Sequence, residues 1–203
     1  MQKTSPDLEE VVMLVRSIRE EAKGIRSYEL VRSDGLPLPS IEAGGHLLFH
    51  LPDGMQRQYS LYNPSGNTEA YRVAVLRDPD SRGGSTYFHE VLEEGSYLPV
   101  SGPFNNFPMV EDAAGSLLIA GGIGITPILY MAHTLHAAGR DFTLHYCARN
   151  EPDAAFVKDL VAAPCGDNVT FYFDGGEPSK GLDVTALLAD VSRGCHLYCC
   201  GPG

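Results

Sequence analysis

Along the first half of the chain, apolar and polar positions fall into short runs that suit β-strands. VVMLVRSI, SYELVR, HLLFHL, RQYSLYN, YRVAVLR and SYLPVS are rich in β-branched, aromatic and aliphatic residues, as strands buried on one face require. Turn signals separate them: SDGLPLPS, EAGG, PDG and PSGN collect the residues that accept tight backbone geometry. Only TYFHEVL, residues 86–92, has helical spacing here. This rhythm predicts a small antiparallel β-barrel over residues 1–110.

The texture changes near residue 111, and MVEDAAGS is the expected boundary. SLLIA, FTLHYCAR, VTFYFD and HLYCC read as strands, while PILYMAHTLHAAG, PDAAFVKDLVAA and VTALLADV, the last capped by Asp183, read as helices. Alternating strands and helices predict an α/β domain with a parallel sheet over residues 111–203, and strands this apolar fit a sheet covered on both faces. The chain stops at GPG directly after a strand. The α/β domain is therefore expected to be truncated at its C-terminal end, as part of a longer chain.

Composition narrows the function. The 203 residues are 43% hydrophobic and 20% charged, a globular balance. Fifteen basic against 26 acidic residues leave a net charge of −11, the opposite of the basic footprint that nucleic acid demands. No apolar run approaches the ~20 residues that span a bilayer, and MQKTSPDLEE lacks a signal-peptide core. A cytoplasmic protein without membrane or nucleic-acid partners is expected. Cys147, Cys165, Cys195, Cys199 and Cys200 form no disulfide framework. In CHLYCC, strand alternation sends Cys195, Leu197 and Cys199 to one face and His196, Tyr198 and Cys200 to the other, which argues against a metal site.

Three stretches carry candidate chemistry. In AGGIGITPI, an apolar strand runs into Gly121, Gly122 and Gly124, with Thr126 placed to cap and Pro127 to open a helix. Backbone N–H groups at such a helix start suit a pyrophosphate, although G-x-G-x-x-G itself is absent. In RGGSTYF, Gly83, Gly84 and Ser85 open the helix of the barrel half, a second anion site by the same reasoning. In RQYSLYN, Arg57, Tyr59 and Leu61 share one strand face, so a planar ligand with its phosphate at Arg57 would lay its rings near Tyr59. Ser60 points the other way unless the strand is distorted. Taken singly, each has a plainer reading: a strand-to-helix turn, a common helix start, a cation paired with an acid.

Together, the order R-x-Y-S, G-G-S, G-G-I-G-I-T-P, C-G-P resembles the ferredoxin-reductase-type flavoproteins, and within them the phthalate dioxygenase reductase and vanillate demethylase reductase group. The matching residues are Arg57, Tyr59 and Ser60; Gly83, Gly84 and Ser85; Gly121, Gly122, Ile123, Gly124, Thr126 and Pro127; and Cys200, Gly201 and Pro202. The resemblance implies a barrel holding flavin and an α/β domain holding a nicotinamide dinucleotide. It puts the flavin phosphate at Arg57 and the G-G-S turn, the isoalloxazine at Tyr59, and the hydride-accepting nitrogen near Ser60. Backbone around Val75 and Leu76 meets the ring edge. The glycines and Thr126 take the pyrophosphate and ribose, and Cys200 with the C-G-P turn takes the nicotinamide.

FMN is expected over FAD, from the compact G-G-S turn, and NADH over NADPH, although Arg149 and Asp153 follow the second α/β strand where a ribose phosphate can be met. Ser60 and Cys200 are the residues placed at the reacting atoms. Hydride chemistry belongs to the cofactors, so Cys200 is read as a contact and not a nucleophile. His46, after a turn glycine, matches a histidine common in the family and is read as a barrel residue; Tyr71 and Tyr87 are read as packing. The family's C-x₄-C-x₂-C signature of a [2Fe–2S] ferredoxin domain is not found in these residues, and that domain is expected beyond them. The implied function is the reductase component of a Rieske-type oxygenase or demethylase system, passing electrons to a terminal oxygenase or ferredoxin. Two alternatives stay open: a free-standing FAD- or FMN-dependent ferredoxin or flavin reductase, and a non-catalytic flavin-binding electron-transfer subunit.

Overall fold

The computed structural model describes residues 10–63, 69–110 and 112–202; the PSGN turn signal and Glu111 lie outside them. Six strands, β1 (Glu10–Ala22), β2 (Ile25–Arg32), β3 (Gly45–His50), β4 (Gln56–Ser60), β5 (Tyr71–Leu76) and β6 (Tyr97–Asn105), make one antiparallel sheet in the order β4-β3-β6-β1-β2-β5. A bridge between Leu61 and Val73 joins the two ends of the sheet, so it curls into a barrel. Bulges in β1 between Val15 and Ser17 and between Glu20 and Ala22 bend that long strand.

Helix α1 (Gly84–Glu90) plugs this barrel with Phe88, which is fully buried. Its ring meets Tyr28, Phe49 and Tyr59 edge-on at 5.1, 5.2 and 4.8 Å, each pair contributing roughly 0.5–1.5 kcal/mol beyond burial. The Tyr28 hydroxyl donates to the Phe88 carbonyl at 2.6 Å. The plug fixes the G-G-S turn relative to β4.

The second sheet contains β7 (Gly115–Gly121), β8 (Phe142–Ala148), β9 (Val169–Phe173) and β10 (Cys195–Cys200), all parallel in the order β10-β7-β8-β9. Helix α2 (Ile125–Ala137) buries Ile128, Met131 and Leu135 in the same core as Leu118, Leu144 and Tyr146. Ile25, Ala43 and Ala74 of the barrel belong to this core too. Across the seam, the Tyr130 hydroxyl donates to the Ile41 carbonyl at 2.7 Å, and the rings of Tyr62 and Phe156 lie 4.7 Å apart. The two sheets therefore hold a fixed relation.

Helix α4 (Val184–Ala189) starts as read, with the Asp183 carboxylate accepting from the Ala186 N–H at 3.0 Å. The helix expected over residues 152–163 is shorter. A 3₁₀ turn occupies Glu151–Asp153, Phe156 takes a left-handed φ of 62°, and α3 covers only Val157–Ala162. Burying the Phe156 ring against Tyr62 outweighs the helical preference of the flanking alanines. Among the described residues, no helix is long and apolar enough to cross a membrane.

Candidate functional site

At the carboxyl edge of the parallel sheet, β7 runs into a 3₁₀ turn, Gly122–Gly124, that continues directly into α2. A Cβ on Gly124 would fall 2.2 Å from the Cys200 carbonyl oxygen, and one on Gly121 would fall 3.4 Å from the Gly201 Cα. The glycines thus let the ends of β7 and β10 meet backbone to backbone. Because the turn coils into the helix without a break, α2 begins at Ile125. Pro127 is its third residue, not its first, and Thr126 does not cap: its hydroxyl donates to the Ile123 carbonyl at 3.1 Å. The N-cap is Gly124, without a side-chain bond, so the first N–H groups of the helix have no side-chain acceptor there.

On the barrel side, the Arg57 stem fills the space that a side chain at Gly84 would take: a Cβ there would lie 2.4 Å from Nε and 2.8 Å from Cγ. Its guanidinium donates to the Gln56 carbonyl at 2.7 Å and the Arg82 carbonyl at 3.2 Å. None of the ion pairs among the described residues involves it, so the cation is held in place by neutral acceptors, without a carboxylate. Ser81 Oγ accepts from the N–H groups of Gly83 at 3.2 Å and Thr86 at 3.4 Å, on either side of Gly84 and Ser85. Ser85 Oγ accepts from the Asp78 N–H at 3.2 Å. Gly83 has φ +97°, a conformation open to glycine. Burial against Phe49 and Phe88 pushes the Tyr59 phenol up to about 12, so it stays neutral.

Between these two edges lies a cleft of about 540 Å³, within the usual size of small-molecule sites. Arg57, Tyr59, Ser60, Leu76 and Ser85 line it from the barrel, and Gly122, Ile123, Gly124, Thr126, Cys200, Gly201 and Pro202 from the α/β side. Gly83, Gly84 and Gly121 do not line it; they permit the close approaches behind it. Leu61 and Val75 turn into the barrel core, and the Val75 carbonyl is bonded to His89 Nε2 at 2.9 Å. The sequence reading missed Gln58, Ala74, Asp78, Asp80, Ser81 and Arg82; Ser81 alone had a signal, a hydroxyl just ahead of a glycine-led helix.

A second hollow of about 370 Å³ adjoins the cleft and shares Gln58, Ser60 and Cys200 with it. Gly44, His46, Asn106, Phe107, Pro127 and Cys199 complete its wall. On β10 the alternation is as read, with Tyr198 buried and Leu197 and Cys199 exposed. Burial raises the Cys200 thiol above its ordinary pKa, which suits a neutral contact rather than a thiolate nucleophile. Arg149 is exposed beyond β8 and does not line the cleft, and Asp153 accepts from Asn150 Nδ2 at 2.8 Å.

No protein-family model matches the chain. Individual proteins do. The vanillate O-demethylase oxidoreductase of Pseudomonas sp. strain HR199 is 49% identical over 193 residues, 95% of this chain and 61% of that protein. A solved phthalate dioxygenase reductase, described as a modular structure for electron transfer from pyridine nucleotides to [2Fe–2S], superposes with a TM-score of 0.90 at 39% identity, over 95% of this chain and 60% of its own. The flavohaem-like FAD/NAD-binding domain of nitric oxide dioxygenase from Vibrio cholerae O1 biovar El Tor gives a TM-score of 0.73 at 25% identity, over 95% of this chain and 99% of that one. The chain thus spans about three fifths of the length of the first two. Identity at this level, across both sheets and the cleft between them, makes the chain similar to phthalate dioxygenase reductase and vanillate O-demethylase oxidoreductase over about three fifths of their length.

Proposed function

We propose that this chain is the flavin- and nicotinamide-binding part of an oxygenase reductase, with residues 1–110 forming the FMN-binding domain and residues 111–203 the NAD-binding domain. The single observation that carries the reading is the cleft, which brings a carboxylate-free arginine and a glycine-lined helix start to face each other across one seam.

The residues fit these groups. Arg57 supplies a planar donor fork suited to phosphate oxygens, the backbone of Gly84 and Ser85 adds donors, and Tyr59 and Leu76 give the flat apolar walls that a ring system needs. On the other side, the α2 start with Thr126 takes the pyrophosphate, and Cys200, Gly201 and Pro202 take the nicotinamide. When bound, a flavin accepts two electrons together and passes them on singly. The protein's part is to bring donor and acceptor to roughly 3–3.5 Å and to keep water out. Ser60 and Cys200 stand where the two halves of the cleft meet and are assigned to that contact. FMN is favoured over FAD because the phosphate turn is compact, and NADH over NADPH from the resemblance to the oxygenase reductases.

The partner is assigned as a [2Fe–2S] centre, the acceptor named for the solved phthalate dioxygenase reductase, leading on to a Rieske-type terminal oxygenase or a ferredoxin. A cytoplasmic setting accords with five free cysteines. A second reading, FAD in place of FMN, is favoured by the FAD/NAD-binding domain of nitric oxide dioxygenase, which this chain matches almost end to end. The test is steady-state NADH oxidation with ferricyanide as acceptor, with FMN or FAD supplied. Turnover with FMN above FAD is expected; no turnover with either sinks the enzyme reading and leaves a binding subunit.

A further inference from the structure

The helix that opens at the cleft is fastened to the barrel further along its length. Tyr130 follows Ile125, the first residue of α2, by about 7.5 Å along the helix axis. Its side chain is buried, at 3% exposure, and its hydroxyl donates to the Ile41 carbonyl of the barrel at 2.7 Å. Burial, with the Glu42 charge nearby, raises the phenol above its ordinary pKa, so it stays a neutral donor.

Both ends of this bond are anchored. On α2, Ile128, Leu129 and Met131 are buried around Tyr130, so the hydroxyl and the helix start belong to one packed element. On the barrel, Ile41 packs against the cores of both halves, and Ala43 is buried in the α/β core. The Glu42 carbonyl accepts from the Gly45 N–H at 3.0 Å, and the Ala43 carbonyl from Asn105 Nδ2 at 3.1 Å. This segment runs directly into β3, which pairs with β4 along Arg57, Tyr59 and Ser60. The Gly45 carbonyl also accepts from the Leu61 N–H at 2.9 Å. Tyr130 thereby ties the α/β wall of the cleft to the strand that forms its barrel wall.

We propose that Tyr130 is a positioning residue for hydride transfer: its bond to Ile41 sets how closely the α2 start, with the dinucleotide it takes, stands to the flavin on β4. This rests on the function proposed above. Tyr130 lines neither the cleft nor the hollow, so it acts through α2. Apolar packing across the seam is non-directional and lets two surfaces slide by a few tenths of an ångström, whereas a hydrogen bond prefers one length and angle. Misplacement of ~1 Å costs on the order of 10²-fold in rate, so a slide of a few tenths costs several-fold.

The test is Tyr130→Phe, which removes the hydroxyl and keeps the ring. The FMN-loaded variant and its parent are compared by stopped-flow reduction across NADH concentrations, by titration of the dithionite-reduced protein with NAD⁺, and by a thermal melt. Reduced flavin stacked on NAD⁺ gives a long-wavelength charge-transfer absorbance. Its midpoint reports affinity, and its amplitude at saturation reports stacking. The limiting rate of reduction is expected to fall roughly three- to tenfold and the amplitude to fall with it, while FMN content and the NAD⁺ midpoint stay unchanged. Tyr172→Phe, which loses a hydroxyl bonded to His145 Nδ1 at 3.0 Å outside the cleft, is the control and keeps the parental rate and amplitude. A Tyr130→Phe protein with parental rate and amplitude overturns the proposal whatever its melting temperature, because the bond then serves the fold alone. Loss of FMN or of NAD⁺ affinity overturns it as well, by making Tyr130 a residue of binding or folding. A parent whose FMN is not reduced by NADH would instead overturn the reaction beneath it.

Discussion

Replacing Gly124 with alanine adds one methyl group where the backbone leaves no room. Gly124 has φ −61° and ψ −6°, which alanine adopts freely, so the effect is one of contact alone. The new Cβ would lie 2.2 Å from the Cys200 oxygen, 2.4 Å from its carbonyl carbon and 2.7 Å from the Gly201 nitrogen. Comfortable contacts are about 3.5 Å, so the end of β10 must retreat on the order of 1 Å from the α2 start. All three atoms are backbone, and no rotamer change relieves them. Overpacking of this kind costs about 1–3 kcal/mol. Misplacement of ~1 Å at a hydride-transfer site costs on the order of 10²-fold in rate. Stopped-flow measurement of FMN reduction by NADH, alongside flavin content and a thermal melt, separates these effects. The expected variant keeps its flavin, melts lower and is reduced roughly 100-fold more slowly. Gly122→Ala is the control: its φ is +50° with nothing within 4 Å, so it strains the backbone by about 1–2 kcal/mol while leaving β10 in place. A Gly124→Ala protein that melts and reacts like its parent would refute the close-approach argument.

Arg57→Ala removes a charge-assisted contact worth about 1.5–3 kcal/mol and should weaken FMN binding by roughly one to two orders of magnitude, with little change in melting; unchanged occupancy after dialysis would count against the phosphate assignment. Gly84→Ala should loosen FMN as well, because its Cβ overlaps the Arg57 stem, and a variant that binds FMN normally would show that Arg57 has a second competent position. Arg16 and Arg72, each 2.7 Å from Glu29, hold its carboxyl below the ordinary range. A depressed folded pKa stabilises above the unfolded value, about 4.3, and that stability is lost as pH falls through the folded value. Glu29→Gln should therefore destabilise the chain in urea melts at neutral pH and converge with the parent in acid; equal differences at both would contradict this.

The barrel strands are legible in the sequence because glycine and proline turn signals bracket them, and Asp183 marks its helix because a carboxylate is a strong N-cap. The stretch AAFVKDLVAA misleads, since local preference cannot know that Phe156 will turn left-handed to reach Tyr62 from a distant segment. The pair Thr126-Pro127 looks like a cap and a first helical residue, but the glycines before it already coil. At the site, the arginine and the glycine turn are legible as types in order. That the Arg57 stem occupies the absent side chain of Gly84 is a fact of packing. The hollow is still further from the sequence, because it takes residues from β3, β4, the turn after β6, α2 and β10, and the pairing of His46 with Ser60 depends on the register across the Pro52–Gly54 turn.

The central claim, that one cleft lets a nicotinamide reduce a flavin held on the barrel, is tested most directly by the visible spectrum of the FMN-loaded chain under anaerobic addition of NADH. Bleaching of the bound flavin in proportion to NADH, up to one equivalent, is the predicted result. A chain that takes up FMN yet keeps its yellow colour under excess NADH, or one that takes up no FMN, would contradict it.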